Sequence, residues 1–165
     1  MLTEKAENFI RAAEEDLCIM EDSRYFDFKS ANAVCFHAQQ YAEKMIKAKI
    51  ALMGIEPPRS HDLSDLLDLL EDSPSLLRAR DCCEILSQYE VSTRYPNEIF
   101  RYFSPEEAEE AYYLALEIPN LIGLFDTSDS DKIISKCKKK RLFFRWGKSI
   151  RPNTGRGVWP GRKSL

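Results

Sequence analysis

Few residues in this chain have side chains suited to chemistry, and the only two imidazoles, His37 and His61, head the set. His37 falls three, four and seven residues before Gln40, Tyr41 and Lys44, a spacing that gathers them on neighbouring positions of one helical face. Such a patch suits recognition of an anion, although an ordinary solvated face has the same pattern. His61 precedes Asp62 at a helix start, where an imidazole either caps and packs or binds an anion. Arg94 is followed by Tyr95 and Pro96, and the proline restrains Tyr95 to extended backbone, so the turn is stiff. Its guanidinium fork can grip a phosphate or carboxylate, or serve a structural salt bridge. Glu43 and Lys47 form a favourable i,i+4 pair worth about 0.2–0.5 kcal/mol on an exposed helix, which calls for no function.

A second set lies near the end of the chain. Lys136, Lys138, Lys139, Lys140, Arg141 and Arg145 are interleaved with Phe143, Phe144 and Trp146. Charge for phosphates and rings for stacking are the ingredients of a nucleic-acid contact, with Lys138, Lys139, Lys140, Arg141 and Trp146 as the principal candidates. The same segment also suits an anionic membrane surface, the acidic body of the chain, or plain solvation. Cys18, Cys35, Cys82, Cys83 and Cys137 have no Cys-x-x-Cys spacing and too few histidines to complete a zinc site. They read as reduced, mostly core thiols. No Walker loop, dinucleotide turn, nucleophile elbow or metal-binding His cluster occurs, so neither cofactor nor metal is expected.

These residues must be positioned by helices. Ala6, Phe9, Ile10, Ala13, Leu17 and Met20 form the inner stripe of a first helix capped by Thr3. After an interruption at residues 23–27, Ala31, Val34, Cys35, Ala38, Tyr41, Ala42, Met45 and Leu52 mark a longer second helix ended by Gly54 and Pro57-Pro58. A short third helix begins at Asp62 and buries Leu63, Leu66, Leu67 and Leu70. Ser73-Pro74 opens a fourth, with Leu76, Ala79, Cys83, Leu86 and Tyr89 inside. Ser104-Pro105-Glu106-Glu107 is a capping-box start for a fifth, carrying Ala108, Ala111, Tyr112, Ala115 and Ile118, which Pro119 kinks or ends. No sustained strand alternation or long repeat appears in residues 1–125. The expected fold is all-α, an up-and-down antiparallel bundle of four to five helices.

Charge separates the chain into two parts. Residues 1–125 hold 12 Lys/Arg against 24 Asp/Glu, and residues 126–165 hold 12 against 3. An acidic body does not draw in a phosphate backbone by its net field, so affinity for one must come from a local site or from the tail. The expected division is a helical domain over 1–125 and a basic, largely irregular extension over 126–165, rich in Pro and Gly near its end. No apolar run approaches the roughly 18 residues of a membrane span, and no signal peptide opens the chain, so a cytoplasmic location is expected.

Three strings carry a family resemblance: Phe36-His37-Ala38-Gln39-Gln40-Tyr41-Ala42-Glu43-Lys44 with Lys47, then Ser60-His61-Asp62-Leu63, then Thr93-Arg94-Tyr95-Pro96. In this order and spacing the sequence resembles the HEPN family, across most of residues 1–125. The resemblance implies a four- or five-helix bundle, a homodimer, and frequent pairing with a minimal nucleotidyltransferase in toxin–antitoxin or defence-type systems. In many members it implies an RNase whose signature is Arg followed after four to six residues by His. Here the corresponding positions, Ser30-Ala31-Asn32 before His37 and Gly54-Ile55-Glu56 before His61, contain no arginine. The resemblance therefore points to a branch without that motif, a non-catalytic module binding nucleotide or RNA through Arg94, His61, Lys44, His37 and Tyr41. A divergent endoribonuclease using His61 and Arg94 is the enzyme alternative, and a pure protein-interaction module is the third.

Overall fold

Five helices account for the regular structure of the described residues, in the order α1 (Glu4–Ser23), α2 (Phe28–Leu52), α3 (Leu63–Leu67), α4 (Pro74–Arg94) and α5 (Pro105–Leu121). The computed structural model describes residues 3–23, 28–94 and 101–125, with the side chains of 28, 29 and 91–94 outside the description. Among the described residues there is no strand. The polar and basic stretch from 126 onward, including Lys138, Lys139, Lys140, Arg141 and Trp146, lies outside the described residues.

Four of the helices, α1, α3, α4 and α5, start where the sequence supplies an acceptor for orphan amides. Thr3 Oγ1 accepts from the Ala6 amide at 3.2 Å, and Ser73 Oγ from Leu76 at 3.1 Å. Asp62, not His61, caps α3, accepting from Ser64 at 2.8 Å. Ser104 and Glu107 complete the reciprocal capping box at 3.1 and 2.8 Å. The helix ends are equally local. Gly54 takes φ +78° and lets Ile55 N–H reach back to the Ile50 carbonyl, while Gly123 at φ +59° does the same for Leu124 and Pro119. One expectation needs correction: Pro119 does not end α5, which continues to Leu121. The proline sits in the last turn, where few following residues depend on continuous helical bonding.

Cross-helix contacts fix the directions. Asp16 on α1 meets both His37 and Lys44 on α2, and Lys5 meets Glu56 beyond the end of α2, so α1 and α2 run antiparallel. Arg78, early in α4, reaches Glu117, late in α5, at 3.4 Å, while Tyr89 packs edge-on against Phe103 just before α5. Those two helices are antiparallel as well. Asn32 near the start of α2 clamps the segment before α5, donating to the Arg101 carbonyl and accepting from the Phe103 amide, both at 2.9 Å. At the other end Lys49 Nζ donates to the Gly123 carbonyl at 2.9 Å. Hence α2 and α5 lie parallel, and the four long helices alternate up and down along the chain.

Helix α2 is the axis of this arrangement and packs against all four others. Val34, Ala38, Met45, Ile46 and Ile50 are buried along it, with Met20, Leu66, Leu86 and Ile118 arriving from the surrounding helices. Cys35, Cys82 and Cys83 belong to the same core, in agreement with their reading as packing thiols. Burial pushes the Cys35 and Cys83 thiols up to about 12 and raises Cys82. No helix among the described residues is long and apolar enough to cross a membrane.

Candidate functional site

A helix buried on most sides has no solvated face for its polar residues, so those of α2 must find partners within the protein. They do so in two adjoining clusters. In the first, Asp16 of α1 is the shared acceptor: His37 Nδ1 lies 2.9 Å from its Oδ1, and Lys44 Nζ contacts its Oδ2. In the second, the Glu43 carboxylate receives Lys47 Nζ at 2.9 Å and His61 Nδ1 at 3.0 and 3.1 Å to its two oxygens. Gln40 adjoins this group, donating to Gln39 Oε1 at 2.6 Å and lying 3.5 Å from Glu43. Fully buried Gln39 lies 3.4 Å from the His61 carbonyl. The chain entering α3 is thereby tied to α2.

Burial is graded across the network. The Asp16, Glu43 and Lys47 side chains are 7%, 6% and 8% exposed, whereas His37, Lys44 and His61 stand at 21%, 24% and 49%. Carboxylates are thus sunk below a rim of imidazole and ammonium groups. An ionised carboxylate only accepts, so each histidine must donate through Nδ1, which commits the tautomer and leaves Nε2 as the remaining site on each ring. Neither Nε2 has a hydrogen-bond partner among the described residues. When neutral, such a ring offers a lone pair; when protonated, it offers an N–H with positive charge. The rim can therefore contact an anion directly or move a proton.

Of the sequence candidates, His37 and Lys44 are brought together at Asp16, and His61 stands in the Glu43 cluster. Tyr41 is not part of the rim, being 5% exposed within the core. Arg94 is the last residue of α4, and its side chain lies outside the described residues, as do Tyr95 and Pro96. The reading of Glu43 and Lys47 as an ordinary exposed pair is corrected: both are buried and central to the network. Asp16 was missed altogether. Its signal was available, since it stands three residues after Ala13 and four before Met20, a carboxylate set in the buried stripe of α1.

The bundle of alternating helices around α2, with its polar network shared by α1, α2 and the chain leading into α3, is a helix-only domain of a known type. The HEPN domain model matches residues 2–124, and the chain belongs to that family. It is similar to the crystal structure of TT1696 from Thermus thermophilus, with 26% identity, 73% of this chain and 98% of that chain covered, and a TM-score of 0.64. It is also similar to ST0689, an archaeal HEPN homologue, with 26% identity, 73% and 97% coverage, and a TM-score of 0.57. None of the curated proteins matches. Membership supports, at a coarse level, a nucleotide-binding or RNA-related module.

Proposed function

We propose that the domain is a non-catalytic binding module that contacts a nucleotide or RNA phosphate, acting as a homodimer or beside a nucleotidyltransferase in a prokaryotic toxin–antitoxin or defence-type system. The observation that carries this reading is the rim itself. His37, Lys44 and His61 are held by buried carboxylates, and no arginine stands five to seven residues before either histidine. Their Nε2 and Nζ groups are the donors that an anion needs. Arg94 adds a guanidinium to the proposed site on the strength of the family resemblance and its place at the end of α4.

The test is fluorescence anisotropy with labelled RNA and competing nucleotide, alongside mass spectrometry of the intact particle. Binding is expected to weaken in H37Q, H61Q and R94A while helical circular dichroism is retained, and the particle is expected to contain two copies or a nucleotidyltransferase. Unchanged affinity in all three variants removes the site. The carboxylate-oriented imidazoles also have the geometry that acid–base catalysis uses. RNA cleavage by purified protein, lost in H37Q or H61Q, would replace the binding-only reading with the endoribonuclease one.

A further inference from the structure

Gln39, Glu43 and Lys47 follow one another at four-residue steps along α2, and all three are buried, a polar stripe set into the central helix. A buried ion pair adds little net stability, because desolvation offsets its attraction. One side of this stripe is covered by the chain between α2 and α3. His61 Nδ1 and Lys47 Nζ share the Glu43 Oε1 atom, at 3.0 and 2.9 Å, and the Gln39 side-chain amide donates to the His61 carbonyl at 3.4 Å.

That covering chain is lightly held. None of residues 53–62 is buried, whereas Ala51 before them and Leu63 after them are. Among the described residues, no backbone–backbone hydrogen bond involves residues 56–61. Polar side chains tie them to the long helices at two points, Glu56 to Lys5 of α1 and His61 to Glu43 of α2, while Ser60 bonds into the start of α3. Segments with few buried contacts and exposed hydrogen bonds open while the rest of a domain stays folded. Pro57 and Pro58 stiffen the middle of this one, and Gly54, at φ +78°, is a pivot at its start. When His61 leaves, Glu43 keeps Lys47, so release strands no buried charge.

We propose that residues 56–61 form a strap that swings off α2 as a unit and so gates access to the Glu43–Lys47 pair. Closed, the strap keeps the Lys47 ammonium out of solvent; open, it presents that ammonium and the Glu43 carboxylate together. The gate operates whatever the rim binds.

Acetylation of the full chain with N-acetoxysuccinimide, mapped by mass spectrometry across a urea series below the unfolding transition, tests the gate. Labelling of Lys47 in the native protein is expected at a rate nearly independent of urea, because strap release exposes little surface. Relative to Lys49, H61A should speed that labelling about tenfold, the scale of a lost hydrogen bond to a charged group when the ring is half exposed. E56A, at the far end of the strap, should speed it about twofold, as an exposed ion pair contributes little. Lys47 labelling that rises with urea as steeply as global unfolding overturns the proposal, and this wild-type series stands whether or not H61A folds. So does H61A labelling no faster than wild type. Faster labelling in H61A with E56A at the wild-type rate overturns it too, since the ring then moves alone.

Discussion

Replacing Lys47 with methionine keeps most of the aliphatic stem but removes the ammonium from a site where its partner carboxylate is 6% exposed. On an exposed helix the loss would be about 0.2–0.5 kcal/mol. Breaking a buried pair costs more, about 3–5 kcal/mol, because an uncompensated charge remains in a poorly solvated place. Here Glu43 keeps His61 at 3.0 Å, and that ring is half exposed, which places K47M near the lower bound, about 3 kcal/mol. For a domain of this size that amounts to a fall in Tm of about 12 °C, at about 4 °C per kcal/mol. Urea unfolding followed by helical circular dichroism measures it. The double variant E43L/K47M leaves no unpaired charge buried at this pair and should recover to within about 1 kcal/mol of wild type. A loss below about 1 kcal/mol in K47M, or a double variant no better than the single, would refute the reasoning.

Other consequences follow from the same packing. S104A removes the acceptor of the α5 capping box and should cost about 1 kcal/mol, read in the same unfolding assay. Cys35 and Cys83 are pushed up to about 12 by burial, so alkylation at pH 8 with peptide mapping should modify exposed Cys18 and spare Cys35, Cys82 and Cys83 until the protein unfolds. Those two thiols and Tyr89, also raised to about 12 mainly by burial, keep their protons when folded at pH values where the unfolded chain releases them. Stability is therefore fully present below about pH 9 and should decline as pH rises from 9 towards 12, a trend measured by urea midpoints across that range.

The helices were legible because their signals are local. Thr3, Asp62, Ser73 and Ser104 act as caps on their own following turns, and the stripes of α3, α4 and α5 need only helical periodicity. The site was legible only in part. His37, Lys44 and His61 were visible by type, but the meeting of His37 with Lys44 depends on Asp16, 21 residues before His37 in the chain, and no spacing rule connects α1 to α2. Glu43 and Lys47 misled for a related reason. An i,i+4 pair looks the same in sequence whether the helix is peripheral or central, and only the packing of all four other helices around α2 decides which. Asn32 is similar, since a side-chain amide bridging to residues 101 and 103 has no local signature.

The proposed role stands or falls on whether ligand reaches the rim of that network. Imidazole nitrogen spectra, recorded while adenosine monophosphate is titrated into labelled protein, report on each ring separately. The Nε2 resonances of both His37 and His61 are expected to shift with saturation while their Nδ1 protons stay bonded to Asp16 and Glu43. Saturable binding with both Nε2 signals unmoved would contradict that role.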